Sequence, residues 1–214
     1  YVFNNRVSFI YGISYEENDF SSSASYNVNS FRTNTGFRYS LVDDLLHSIT
    51  VEYRLKEYKI TNSDNVSSDI EKLSGNNADI LLNNNFIYDK LNSFIRPTKG
   101  TYLSYLNVFS PNTNADNGYV KNIISHKKYF QSNNNVFSIQ TKIGNIFSLK
   151  DTVIPSDEKF ALGGRWLRGF DIYGAGPRNS RTAYVGGNSM FVSKIDLQRP
   201  LFKNSDNPID LNLF

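Results

Sequence analysis

Hydrophobic and polar side chains alternate with a period of two along most of this chain. In the segment 6–15 the apolar face is formed by Val7, Phe9, Tyr11, Ile13 and Tyr15. The same alternation returns in segments 30–41, 47–57, 79–92, 100–110, 118–131, 135–149, 187–199 and 208–214. Because successive side chains of a strand point to opposite sides of a sheet, the pattern predicts about nine strands. Most are near the length, ~9–11 residues, with which a tilted strand crosses a lipid bilayer.

The connections between these segments fall into two classes. Segments 40–47 and 96–100 indicate short turns, whereas 60–78 and 149–186 are long and polar. Short turns at one end and long loops at the other are typical of outer-membrane barrels, with periplasmic turns and extracellular loops. An odd number of antiparallel strands does not close such a barrel, and an unpaired strand edge in lipid is very unfavourable. We therefore expect residues 1–214 to be part of a larger barrel domain whose first and last strands are absent here.

Charged residues within the strands require water on one side of the sheet. Arg32 and Arg38 share one face of a strand, and Glu52, Arg54 and Lys56 share one face of the next. A water-filled barrel lumen would solvate these faces while the apolar faces contact lipid. A large soluble antiparallel sheet, with the same faces in bulk water, is the alternative. The predicted fold class is all-β, a partial transmembrane antiparallel barrel.

Composition narrows the function classes. The chain is 39% hydrophobic and 14% aromatic, which fits a barrel that buries few side chains and faces lipid on one side. A formal charge of +3 is too small to indicate a nucleic-acid binder. Cysteine is absent, so disulfides and thiolate chemistry are excluded, and His47 and His126 have no metal-ligand spacing.

Sequences that indicate catalysis are missing. The chain contains no nucleophile elbow, no zinc-protease helix and no phosphate-binding loop. Its carboxylates are scattered, without a pair spaced for acid–base work. We expect a protein that is not an enzyme and that needs no cofactor or metal.

Residues 160–178, FALGGRWLRGFDIYGAGPR, follow neither a strand nor a helix period. A disordered surface loop would explain the glycines but not the apolar residues Trp166, Leu167, Phe170 and Ile172. A second interpretation is a nucleic-acid or anion patch in which Trp166 stacks on a base beside Arg165, Arg168, Arg178 and Arg181. The apolar neighbours and the lack of lysine-rich flanks fit that interpretation poorly.

The segment resembles the signature of the BamA superfamily of β-barrel assembly and polypeptide-transport proteins. In that family the motif lies in the long sixth extracellular loop, which folds back into the barrel lumen. The matching residues are Phe160, Gly163, Gly164, Leu167, Arg168, Gly169, Phe170, Gly176 and Pro177. VGGNSMFVSKIDLQRPL, at 185–201, is similar to the family strand after this loop, and RPTKGTYLSY, at 96–105, is similar to its PTxG hairpin.

The resemblance also implies a partner for the motif arginine. The family pattern places an acidic residue on the strand after the loop and a second one on the following strand, beyond Phe214. Here Asp196 is the candidate partner of Arg168, because the alternation on its strand turns it toward the lumen. A guanidinium fork matches a carboxylate bidentately. Gly169 would permit a tight turn, and Phe170 would pack the loop against the inner wall.

The function that the resemblance implies is assembly of outer-membrane proteins. The family has a C-terminal (bacterial surface antigen) barrel domain of about sixteen strands that follows periplasmic domains, and residues 1–214 would be part of that barrel. Expected partners are the outer-membrane bilayer, unfolded outer-membrane protein clients and accessory lipoproteins of an assembly complex, without nucleic acid. The expected location is the outer membrane of a Gram-negative bacterium. A polypeptide-secretion transporter, a passive pore and a soluble binding module are the alternatives.

Overall fold

The computed structural model describes residues 7–111, 118–150, 154–164, 166–171, 173–180, 183–200 and 210–213. Within them, nine strands form one antiparallel sheet in which each strand pairs with its neighbours along the chain. The strands are β1 (Ser8–Asp19), β2 (Tyr26–Val42), β3 (Leu45–Ile60), β4 (Gly75–Asp89), β5 (Gly100–Ser110), β6 (Tyr119–Ser132), β7 (Asn135–Ser148), β8 (Ser189–Pro200) and β9 (Asp210–Leu213). The all-β fold and the number of strands predicted from the alternation are confirmed.

One face of the sheet is apolar and exposed. Tyr15 of β1 pairs with Phe31 of β2, which pairs in turn with Leu55 of β3, so apolar side chains form rows across the strands. On β8, Phe191 is 68% exposed and Ile195 is 66% exposed. An apolar row of this kind on alternate positions of every strand is the lipid-contacting surface of a barrel. We call it the outer face.

The opposite, inner face is covered in part by the β1–β2, β3–β4 and β7–β8 connections. These contain the short helices α1 (Ser21–Ala24) and α2 (Ser68–Lys72), and a 3₁₀ turn at Ser156–Glu158. Their buried apolar side chains pack with the strands in one cluster of Phe20, Ala24, Tyr26, Val28, Tyr58, Val66, Ile70, Leu73 and Tyr184. A second cluster contains Leu81, Val108, Tyr119, Ile146, Ile154, Phe160 and Met190. Among the described residues, no helix is both long and apolar enough to cross a membrane.

The connection between β3 and β4 corrects one prediction. It was expected to be a long polar loop over 60–78, but β4 begins at Gly75, which pairs with Tyr58 of β3. The shorter connection carries α2 and buries Val66, Ile70 and Leu73. Of these three apolar residues Ile70 lies in α2, Val66 precedes the helix and Leu73 follows it, and all three pack in one cluster with Tyr58 of β3. The connection therefore packs on the inner face instead of extending into solvent.

Candidate functional site: a loop docked on the inner face

The connection between β7 and β8 carries the glycine- and arginine-rich motif, and we call its described residues between 154 and 188 the docked loop. It is a folded hairpin, held by three isolated antiparallel bridges: Phe160 with Gly187, Leu162 with Ala175, and Arg178 with Tyr184. At its tip the amide of Gly164 donates to the carbonyl of Phe170 at 2.8 Å. The motif thus departs from the strand period because it forms a separate hairpin on the inner face.

Phe160 packs this hairpin directly against the wall. Its ring lies over Gly144 of β7, where an added Cβ would come within 2.5 Å of the ring. The ammonium of Lys121 on β6 lies 5.2 Å from the ring centroid, and the hydroxyl of Tyr184 donates to the backbone carbonyl of Phe160. Gly144 leaves the space that Phe160 fills, so the strand glycine and the loop aromatic are complementary in shape.

Glu158, two residues before Phe160, is at the centre of a buried set of charges. Its Oε1 lies 2.8 Å from Nη2 of Arg54 and also accepts a hydrogen bond from Nζ of Lys56. Lys121 Nζ donates to the backbone carbonyl of Glu158 at 2.6 Å. The side chains of Arg54, Lys56 and Glu158 are 7%, 5% and 10% exposed. Three cations from β3 and β6 therefore converge on one loop residue.

Two further carboxylates balance these cations. Asp157 pairs with Lys56 and accepts a hydrogen bond from the hydroxyl of Tyr58 at 3.0 Å. Asp79 of β4 lies 3.1 Å from Nη2 of Arg54. We call Arg54, Lys56, Asp79, Lys121, Asp157 and Glu158 the charge network. Its three positive and three negative groups are close to neutral together, which permits their burial.

Burial alone would raise the pKa of the Glu158 carboxyl, but Arg54, Lys56 and Lys121 surround it and hold that pKa well below its ordinary value. Glu158 is therefore ionised at neutral pH in spite of its burial. An ionised buried carboxylate is stable only while its cations remain in place. The electrostatics thus tie this part of the loop to β3 and β6.

The tip of the hairpin contacts β7 and β8. Nζ of Lys142 lies 5.5 Å from the centre of the Trp166 ring, and Nζ of Lys194 lies 5.8 Å from it. Two cations of the inner face thus interact with the indole, which the alternative interpretation had assigned to a nucleic-acid base.

Arg168 and Asp196 line the same cavity of about 240 Å³, together with Ser138, Gln140 and Lys194. Asp196 lies on the inner side of β8, 3.9 Å from Lys194 Nζ, and its Oδ2 accepts a hydrogen bond from Ser138 at 3.4 Å. Arg168 is exposed beside it. The predicted bidentate pairing of Arg168 with Asp196 stays a prediction.

The other motif residues have mainly backbone roles. Gly169 has a φ of +86°, a conformation that favours glycine, and the amide of Phe170 donates to the carbonyl of Leu167. Gly163 and Gly164 precede this turn, and Gly176 and Pro177 lie on the returning arm of the hairpin.

Phe170 was expected to pack against the inner wall but is 52% exposed, and the ring that packs directly on the wall is that of Phe160. Among residues named in the sequence analysis, Arg165, Ile172, Arg181 and Phe214 lie outside the described residues.

Sequence reasoning missed the charge network. Arg54 and Lys56 were expected to face water, yet the docked loop buries them, because Asp157 and Glu158 replace the solvent. The adjacent acidic pair just before Phe160 is the one sequence signal that points to them. In the described part of the chain, no group of three or more histidine and acidic side chains could hold a metal ion.

Comparisons with known proteins agree with this architecture. The profile of the Omp85 superfamily domain matches residues 1–214. The outer membrane protein assembly factor BamA of Nitratidesulfovibrio vulgaris is 27% identical over 143 residues, which cover 64% of this chain and 18% of that protein. The sorting assembly machinery 50 kDa subunit of Saccharomyces cerevisiae is 32% identical over 124 residues, covering 56% of this chain and 25% of that protein.

A solved structure has the same fold. The crystal structure of BamA from Haemophilus ducreyi lacking POTRA domains 1–3 superimposes with a TM-score of 0.79 at 18% identity, over 96% of this chain and 44% of that chain. The chain thus spans less than half the length of each of these three proteins.

Proposed function

The chain belongs to the Omp85 superfamily, and on that premise we propose that the protein whose barrel it helps to form inserts and folds outer-membrane proteins. Two relatives from distant organisms carry names that describe assembly or sorting, which supports this activity over others. Fold alone would not, because barrels of similar architecture host unrelated functions. The protein acts without catalysis or a cofactor, since burial of client strands in lipid supplies the driving force.

The observation that carries the proposal is the docked loop. Its arms and its tip are fixed to four different strands, through Glu158 with β3 and β6 and through Phe160 and Trp166 with β7 and β8. A simple pore needs an open lumen, whereas this loop fills part of the inner face. We infer that it braces the wall while strands elsewhere in the barrel pair with a client by edge addition.

The partners follow from this role. They are the outer-membrane bilayer, unfolded outer-membrane protein clients and the accessory lipoproteins of an assembly complex. The location that we propose is the outer membrane of a Gram-negative bacterium, which the bacterial relative supports. These assignments concern the whole protein.

We further propose that Arg168 and Asp196 form the second attachment of the loop. Their shared cavity supports this, because Arg168 and Asp196 both line it and Asp196 lies on the inner side of β8. Their coupling would fix the loop tip more than it would stabilise the barrel, since partly solvated pairs contribute little net stability.

The test is replacement in the full-length protein, in cells depleted of their own copy. Arg168→Ala is expected to lower the amount of folded porins in the outer membrane, and Asp196→Asn is expected to do so more mildly. A double-mutant cycle should show a coupling of ~0.2–1 kcal/mol in loop docking, the range for an exposed ion pair. Normal porin levels and growth in the Arg168→Ala strain would refute the attachment. Normal porins with loss of one secreted polypeptide would instead identify a secretion transporter.

A further inference from the structure

The turn between β4 and β5 exposes two large apolar side chains. Phe94 is 96% exposed and Ile95 is 86% exposed, the highest values for large apolar residues among those described. On the outer face, which contacts lipid, the most exposed large apolar side chain is Phe191, at 68%. An adjacent apolar pair that projects fully from a polar turn is unfavourable in water unless something covers it.

The turn is built to hold this pair in place. Oδ1 of Asn92 accepts hydrogen bonds from the amides of Thr98 and Lys99, both at 3.0 Å, and its Nδ2 donates to Thr98 Oγ1 at 2.9 Å. The amide of Arg96 donates to Ser93 Oγ at 3.2 Å. Side-chain bonds of this kind define a tight turn. Phe94 and Ile95 are therefore presented by an ordered tip, and little conformational freedom remains to be lost on binding.

The tip lies at the end of the sheet where the turns are short. Lys90 pairs with Asp44 of the neighbouring β2–β3 turn at 3.2 Å, which ties the two turns together. Just above the tip, the outer face carries a row of rings, with Phe86 at 4.2 Å from His47 and 6.3 Å from Tyr105 between ring centroids. Aromatic girdles mark the level of the lipid headgroups in barrels. The tip therefore leaves the sheet at the membrane boundary.

The charge of the turn favours a lipid bilayer as the surface that covers Phe94 and Ile95. Lys90, at the base of the turn, is paired with Asp44, whereas residues 91–99 contain Arg96 and Lys99 and no acidic residue. Basic side chains beside apolar ones suit a surface that presents phosphate groups over an apolar layer, and each is attracted to anionic lipid. A protein partner would also need a matching groove, whereas the bilayer already contacts the outer faces of both strands that carry the turn.

We propose that this turn is a membrane anchor, which inserts Phe94 and Ile95 into the interfacial layer of the periplasmic leaflet while Arg96 and Lys99 contact anionic phospholipid headgroups. The anchor fixes the level of the short-turn end of the barrel in the bilayer. It is independent of the docked loop and of client insertion.

The test uses the full-length protein in a background without other cysteines, folded into phosphatidylcholine vesicles with or without phosphatidylglycerol. Ile95→Cys is labelled with an environment-sensitive fluorophore, and its emission is measured in lipids with brominated acyl chains. Phe191→Cys, on the outer face, is the positive control. Asn134→Cys, in the exposed β6–β7 turn at the same end of the sheet, is the matched negative control.

We expect bromine to quench the probe at position 95 at least half as strongly as the probe at Phe191, and more strongly with phosphatidylglycerol present. Adding Phe94→Ser should reduce this quenching, and Arg96→Gln with Lys99→Gln should abolish its dependence on phosphatidylglycerol. Quenching at position 95 no greater than at Asn134 would overturn the proposal. A probe that is shielded only in native membranes, and not in lipid vesicles, would also overturn it and would indicate a protein partner.

Discussion

Replacing Glu158 by glutamine removes one charge from the charge network and leaves the shape of the side chain almost unchanged. Arg54 and Lys56, 7% and 5% exposed, would then share only Asp79 and Asp157. Breaking one partner of a buried ion pair costs ~3–5 kcal/mol, because a charge is left uncompensated. Because Asp79 and Asp157 still compensate part of the positive charge, we expect the loss of docking free energy to be near the lower end of this range, about 3 kcal/mol.

A loss of about 3 kcal/mol in docking free energy would strongly increase the fraction of molecules in which the loop is undocked. Each ~1.4 kcal/mol changes an equilibrium tenfold, so the undocked fraction should rise on the order of 100-fold. Ala183 in the docked loop is 1% exposed, which makes Ala183→Cys a reporter of undocking in a cysteine-free background of the full-length protein. The measured quantity is the rate at which a maleimide labels this cysteine in the folded protein.

The matched control is Glu57→Gln, one position before Tyr58 on β3. Glu57 pairs with Lys59, and the two side chains are 41% and 57% exposed. A pair this exposed contributes ~0–1 kcal/mol, so labelling should change less than about fivefold. Equal labelling rates in the Glu158→Gln and Glu57→Gln proteins would refute the charge network as the attachment of the loop.

Two further changes test the pH dependence and the packing of the loop. Because the pKa of Glu158 is depressed, its contribution to the docking free energy is complete above the ordinary carboxyl pKa and is lost as pH falls through the lower, folded-state pKa. Lys56→Met removes one of the cations that depress this pKa, so the loss of docking should occur in milder acid when the labelling rate is measured against pH. An unchanged midpoint would contradict the assignment. Gly144→Ala would place a methyl group 2.5 Å from the ring of Phe160, and overpacking of ~1–3 kcal/mol should speed labelling or lower the melting temperature. Gly12→Ala is its control, since the nearest atoms there are the flexible end of a side chain, and equal effects of the two substitutions would count against the packing.

The strands and their faces could be predicted from the sequence because alternation is a local property. Phe9, Phe191 and Ile195 lie on the exposed outer face, and Asp196 on the inner side of β8, as the period of two requires. The ends of the strands were less predictable. β4 starts at Gly75, where polar side chains occupy both faces and the alternation disappears.

The contacts of the site are not local, and the pattern of the sequence does not contain them. Lys56 and Asp157 are 101 positions apart in the chain, and their encounter depends on the path of the whole hairpin. A charged residue on a strand indicates only that something polar must face it. In this protein that group is a loop carboxylate and not water.

Docking of residues 154–160 on the inner face can be tested most directly by a disulfide between positions 67 and 156. Ser67, which precedes α2, and Ser156 are buried, and their hydroxyl oxygens lie 3.4 Å apart. That separation allows the paired cysteines of Ser67→Cys with Ser156→Cys to bond with a small adjustment. In the full-length protein in native outer membranes, mild oxidation should crosslink the two positions almost completely. Two cysteines that stay reduced and react separately with maleimide would show that the loop lies elsewhere.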